Sequence, residues 1–152
     1  MDDAYATPLS IQQVHPSLEL QQEALEQLIH HVIDAEDGQL VHLSVVLTGH
    51  ETVRSLNASY LDHDYDTDVL SFSLRHEPKD EENIVEGEIY IDLDTAAERH
   101  ADFNATFEAE ARRYVVHGLL HLLGYDDQSP SGQDTMRALE DQYLDAMPPV
   151  SE

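Results

Sequence analysis

Apolar residues fall along this chain in two rhythms. In LVHLSVVL (40–47), Val41, Leu43, Val45 and Leu47 recur at every second position, which predicts a strand with those four side chains on one face. From Leu18 to about Asp37 the rhythm is helical: Leu25, Leu28, Ile29, Val32 and Ile33 recur at helical spacing, Pro16 and Ser17 supply a start, and Gly38 closes the segment. LSIQQV (9–14) reads as a short opening strand, and DVLSFSL (68–74) and NIVEGEIYIDL (83–93) as two more, separated by a charged loop containing Pro78. HETVRSLNASYL (50–61) predicts a short helix with Val53, Leu56 and Tyr60 inward. Another helix begins at Asp94, breaks near Phe103 and Asn104, and resumes as a long one from about Ala105 to Gly124. SGQDTMRALEDQYLDAM (131–147) is amphipathic through Met136, Leu139, Tyr143 and Met147.

These elements need one α+β domain over residues 1–152, a small sheet flanked by helices, with 1–8 and 148–152 expected to be flexible ends. No internal repeat or linker divides it, and 152 residues suffice for one real core. No apolar run approaches the ~20 residues of a membrane span, and MDDAYATPLS lacks the basic flank and apolar block of a secretory signal. A cytoplasmic protein with no membrane partner is the expectation. The absence of cysteine excludes disulfides, thiolate metal ligands and thiol nucleophiles.

Charge changes the picture most. Thirty-two acidic residues face 7 basic ones, a net charge of −25, and the acid is spread through tracts such as LDHDYDTD and EPKDEEN. Such a distribution reads as adaptation to a salty interior, where the Debye length shrinks to about 3 Å at 1 M and self-repulsion is screened.

Against that background HGLLHLLGYDD (117–127) stands out. On a helical wheel Val115, Val116, Leu119, Leu122 and Leu123 supply the core stripe, while His117 and His121 fall together on the opposite side, one turn apart. Gly124 can end the helix and return the chain, bringing Asp127 to the same point. Two histidines, a glycine and an aspartate at offsets 0, 4, 7 and 10 follow the metzincin spacing for a metal site, with Asp in place of His as third ligand and Gly118 where the proteases carry their catalytic Glu. Without that general base, peptidase chemistry by the same route is disfavoured.

HGLLHLLGYDD also resembles the signature of the YbeY family, HGxLHLxGYDH. LNASYLDHDYDTDVLSF (56–72) is similar to that family's LNxxYRxxDxxTDVLSF, GEIYI (87–91) to its GDIxI strand, and the closing segment carries Met136 and Glu140 as the pattern has them. The likeness spans about residues 40 to 145. It implies a zincin-like α+β domain with the metal site at the C-terminal end of a long core helix. It also implies a zinc-dependent, single-strand-specific endoribonuclease of ribosomal RNA processing, including 16S rRNA 3′-end maturation and ribosome quality control. One Zn2+ per chain would be held by His117, His121 and Asp127, which are the catalytic and metal residues. Ribosomal RNA, pre-ribosomal particles and ribosomal proteins would be the partners. Tyr60, His63, Asp68, Ser71 and Phe72 would face the substrate cleft, and Asp64 and Thr67 also keep the motif.

Two positions depart from the family. Asp127 replaces the third histidine; a carboxylate is a competent zinc ligand, though it leaves the site less cationic. Leu61 replaces the motif arginine, so no phosphate clamp carries over there; His63, two residues on, is either a substitute when protonated or an ordinary loop residue. With so few cations, RNA binding would draw on metal–phosphate coordination and on stacking by Tyr60, Tyr65 or Phe72 rather than on counterion release. A zinc hydrolase of another substrate and a non-catalytic ribosome-assembly module with a structural metal stay open beside the endoribonuclease. Glu110, two turns before His117, reads as structural, and Tyr125 and Asp126 as turn residues.

Overall fold

The alternating segments pair into a mixed sheet of strand order β1-β2-β4-β3 among the described residues. The computed structural model describes residues 8–61, 68–74, 83–125 and 127–146, the side chains of Tyr60 and Leu61 excepted. Along the chain run β1 (Leu9–Gln13), α1 (Gln22–Ala35), β2 (Gln39–Thr48), α2 (His50–Leu61), β3 (Val69–Ser73), β4 (Ile84–Asp92) and α3 (Leu93–Arg99). A 3₁₀ turn (His100–Phe103), α4 (Phe107–Leu122) and α5 (Pro130–Ala146) follow. β1 and β4 flank β2 in parallel, and β3 closes the edge antiparallel to β4. A parallel β1–β2 pair requires a crossover, and α1 is that crossover.

Leu43, Val45 and Leu47 of β2 and Val85, Ile89 and Ile91 of β4 are fully buried in one core with the apolar faces of α1, α4 and α5. Val41 does not join them. The β2–β4 register shifts between Leu40 and His42, which makes Val41 the extra residue of a bulge. The alternation changes phase there, so Leu40 packs against the core in its place.

Helix α1 starts at Gln22, not behind Pro16 and Ser17. Before it, His15 Nδ1 accepts from the Ser17 and Leu18 amides at 3.1 and 2.9 Å. The Gln13 side chain brackets Leu20, accepting from its amide at 3.0 Å and donating to its carbonyl at 2.9 Å. Side chains at and just beyond the end of β1 thus satisfy the backbone of the turn, and Leu20 is buried before the helix begins. The expected flexible ends lie outside the described residues except Pro8, whose carbonyl accepts from Leu43 N at 2.7 Å and so belongs to the sheet.

The long helix is bounded by chemistry at both ends. Asn104 takes φ 58°, ending the 3₁₀ turn, and Thr106 caps α4 by accepting from Ala109 N at 3.0 Å. The helix is therefore 107–122, shorter than the expected 105–124. It presses onto the sheet through two glycines. A Cβ on Gly118 would stand 2.8 Å from Ile89 Cγ2, and one on Gly87 would stand 2.4 Å from the Phe72 carbonyl oxygen. Leu122 packs over Gly87 and is only partly buried, whereas Leu120, outside the expected stripe, is wholly buried. No described helix is long and apolar enough to cross a membrane.

Candidate metal centre

His117 and His121 project from the last two turns of α4. Beyond them Gly124 adopts φ 109°, Gly124 N donates to the His121 carbonyl at 3.1 Å, and Tyr125 N donates to the Leu120 carbonyl at 3.0 Å. That pair of bonds is a Schellman closure, which satisfies the carbonyls of the helix end while reversing the chain. The reversal delivers Asp127 beside the two imidazoles. Its Oδ2 lies 3.3 Å from His117 Nε2 and its Oδ1 3.7 Å from His121 Nε2.

The tautomers follow from the partners of the other ring nitrogens. His117 Nδ1 is 2.7 Å from Glu140 Oε2, and His121 Nδ1 is 3.1 Å from the Tyr125 carbonyl oxygen. Both partners only accept, so both Nδ1 atoms carry hydrogen and both Nε2 atoms of the neutral rings present lone pairs. Those two lone pairs face each other at 3.1 Å, with the Asp127 carboxylate alongside. Such an arrangement is repulsive until a cation or a proton enters it. The edge of a tetrahedron about zinc with ~2.0–2.1 Å bonds is roughly 3.3–3.4 Å, so the donors already stand at coordination spacing. Among the described residues these three form the group of donors able to hold a metal ion.

Surrounding groups tune the site. Burial pulls the pKa of His117 down, but the Glu140 hydrogen bond and charge, with Asp127 and Asp68, outweigh it and leave the pKa raised. Burial raises Asp68, against the lowering charge of His117. Glu140 itself is 6% exposed and is shared with Arg113, which donates to its Oε1 at 3.0 Å. Glu36, at the end of α1, accepts from the Tyr125 hydroxyl at 2.8 Å and from the Tyr143 hydroxyl. The turn that carries Asp127 is thereby tied to α1 and α5.

The remaining expected residues divide. Asp68 lines the cleft beside His117. Ser71 faces α4, where its hydroxyl donates to the Gly118 carbonyl at 3.0 Å. Phe72 pairs with Glu88 across the strands and meets Tyr90 edge-on at 5.9 Å, on the opposite face of the sheet from Ser71. His63 and the side chains of Tyr60 and Leu61 lie outside the described residues, as do Tyr65 and Asp126. Glu140 was legible only as part of the family pattern. A carboxylate between Met136 and Tyr143 on the apolar face of α5 is the signal that marks it for a buried partner.

The family model for endoribonuclease YbeY matches residues 10–148. An endoribonuclease YbeY from Salinibacter ruber is 61% identical, covering 99% of this chain and 98% of its own. One from Chlorobium phaeovibrioides is 38% identical over 82% of this chain and 81% of its own. A solution structure of a Thermotoga maritima protein superposes with a TM-score of 0.61 at 30% identity, covering 90% of this chain and 87% of that one.

Proposed function

The chain belongs to the endoribonuclease YbeY family, and from that premise we propose that it hydrolyses phosphodiester bonds of single-stranded RNA with one Zn2+ held by His117, His121 and Asp127. The carrying observation is the set of three donors at coordination spacing, with both Nδ1 hydrogens already engaged. Its substrate is ribosomal RNA, including the 3′ end of 16S rRNA, met on pre-ribosomal particles and beside ribosomal proteins in the cytoplasm, where it also serves ribosome quality control.

When bound, a divalent ion at this centre supplies Lewis acidity to a phosphoryl oxygen and makes water acidic near neutral pH. The protein's part is orientation. Glu140 fixes the His117 tautomer and raises its basicity, the Tyr125 carbonyl does so for His121, and the Schellman turn holds Asp127 across from both. Gly118 leaves no side chain to act as a base on that turn of α4, and the Ile89, Ser71 and Val69 side chains leave no space for one.

Metal analysis should give about one zinc per chain, lost in the His117→Ala/His121→Ala double variant; equal zinc in both proteins would remove the site. Incubation of a single-stranded ribosomal RNA fragment with the zinc-loaded protein in molar KCl should yield internal cleavage, absent from the double variant. Bound zinc without any cleavage would leave the assembly-module reading instead. Leu61→Arg, which restores the motif guanidinium, should raise the cleavage rate by up to roughly a hundredfold at constant zinc content. If His63 has taken over that role, Leu61→Arg changes little and His63→Ala is damaging.

A further inference from the structure

Arg113 stands one turn before His117 on α4, so the two side chains share a face of that helix. They converge on one carboxylate of α5. Glu140 Oε1 accepts from Arg113 Nη1 at 3.0 Å and Glu140 Oε2 from His117 Nδ1 at 2.7 Å, so a residue only 6% exposed has each oxygen engaged by a different residue of α4. The other arm of the guanidinium, Nη2, donates to Asp141 Oδ1 at 2.7 Å on the exposed side of α5. Asp141, Arg113, Glu140 and His117 thus form an unbroken line of hydrogen bonds from the surface to the metal centre, along one wall of the cleft. Burial pulls the Arg113 pKa down, but its bonds to Asp141 and Glu140, with their charges, outweigh it and leave the pKa raised. Helix docking does not require this line. α4 and α5 already share the buried core through Val116, Leu120, Met136 and Tyr143, and a partly exposed ion pair adds little to such packing.

We propose that Arg113 is a positioning residue for the metal centre, acting through Glu140 to hold the His117 ring with its Nε2 turned to the ion. The torsion at the end of a glutamate side chain is soft, so a carboxylate bonded to His117 alone can swing about its last bond and carry its acceptor away. A guanidinium on the second oxygen fixes the carboxylate plane, and a planar fork anchored on two neighbouring carboxylates is itself fixed. The oxygen facing His117 Nδ1 then has one place, and so has Nε2, 3.1 Å from His121 Nε2 and 3.3 Å from Asp127 Oδ2. Arginine also carries positive charge, and by Coulomb's law alone that charge opposes a divalent cation nearby. Positioning and charge therefore act on metal affinity with opposite signs, and the sign of the change on removing Arg113 separates them. The role at the ion rests on the proposed zinc site, whereas the His117 tautomer is a property of the metal-free protein as well.

The test uses the full-length protein in molar KCl. Zinc affinity is measured by competition against a chelator, and the imidazole nitrogens of the metal-free protein are followed by NMR at alkaline pH, where the rings are neutral. In the wild type His117 should carry its hydrogen on Nδ1 alone. Arg113→Met should weaken zinc about tenfold, the lower end of the range for outer partners of a metal ligand, and its two His117 nitrogen signals should move toward one another as the tautomers mix. Arg113→Lys keeps the charge but not the fork, and should recover only part of the loss. In a Glu140→Ala background Arg113→Met should weaken zinc no further, since its effect passes through that carboxylate. Tighter or unchanged zinc in Arg113→Met, or a lower Tm with an unaltered His117 spectrum, overturns the proposal and leaves a charge effect or a helix staple in its place. If Arg113→Met does not fold, Asp141→Asn at the exposed end of the line decides: zinc affinity and His117 signals equal to those of the wild type overturn the proposal. A wild type that takes up no zinc removes the zinc site, while the His117 spectrum still tests Arg113.

Discussion

Two neutral imidazoles with their Nε2 atoms 3.1 Å apart repel unless something positive lies between them. In the metal-free protein a proton competes for that place, favoured at His117 by the Glu140 hydrogen bond and charge, which outweigh burial and raise its pKa. Metal and proton therefore compete for one place, and two pH slopes of opposite sign follow. As pH falls through the raised pKa of His117, zinc affinity should fall, beginning at higher pH than for an ordinary histidine; titrations across neutral pH check this. The His117 contribution to metal-free stability is fully present below the unfolded value of about 6.5 and is lost as pH rises through the folded one. Melting of metal-free wild type against His117→Gln over the same range should show that loss, and a parallel pair of curves would refute it. Glu140→Gln keeps an acceptor but removes the charge, and should weaken zinc by roughly tenfold or more. Asp127→His restores the family's third ligand and should retain or tighten zinc; loss of binding would mean the turn does not present residue 127 to the metal. The ligands were readable because offsets along one helix and its turn are local in sequence. Glu140, 23 residues from His117, could be placed against it only by the packing of α5 on α4.

Glycine-mediated contact governs the elements. Alanine at position 118 would gain up to about 1 kcal/mol of helix propensity, yet its Cβ would lie 2.8 Å from Ile89 Cγ2 and 3.1 Å from both Ser71 Oγ and Val69 Cγ2. Overpacking of this kind costs about 1–3 kcal/mol, so Gly118→Ala should lower Tm; an unchanged or higher Tm would show that α4 can lift off the sheet freely. The same contact gives Gly118, read from sequence as the absence of a catalytic base, a packing role as well: the glycine is where helix and sheet touch. Strands and helices themselves were legible where periodicity ran unbroken, as in Leu43, Val45 and Leu47. They were missed where a side chain intervened. The bulge at Val41 depends on pairing with β4, and the delayed start of α1 depends on His15 and Gln13 reaching forward to amides that no local pattern connects to them.

The whole molecule carries 32 acidic and 7 basic residues, and three of its arginines act at or beside one cleft: Arg113 and Arg137 line it, and the charge of Arg99 is felt by Asp68 and Tyr114. Diluting KCl from molar to millimolar lengthens the range of self-repulsion, and Tm should fall; a flat or rising curve would refute salt adaptation. This expectation came from composition alone, whereas the concentration of arginines at one place required the fold. The tie between the termini of the fold and its centre has a consequence for the order of events in the cell. All three metal donors precede Glu140 and Tyr143, which lie on the last helix. A chain leaves the ribosome amino-terminus first. Until that helix has emerged, His117 lacks its carboxylate and Glu36 lacks one of its two tyrosines. A nuclease built by the particle whose RNA it is proposed to cut is thus assembled unarmed, and its centre is completed only once α5 has been made and has docked on α4.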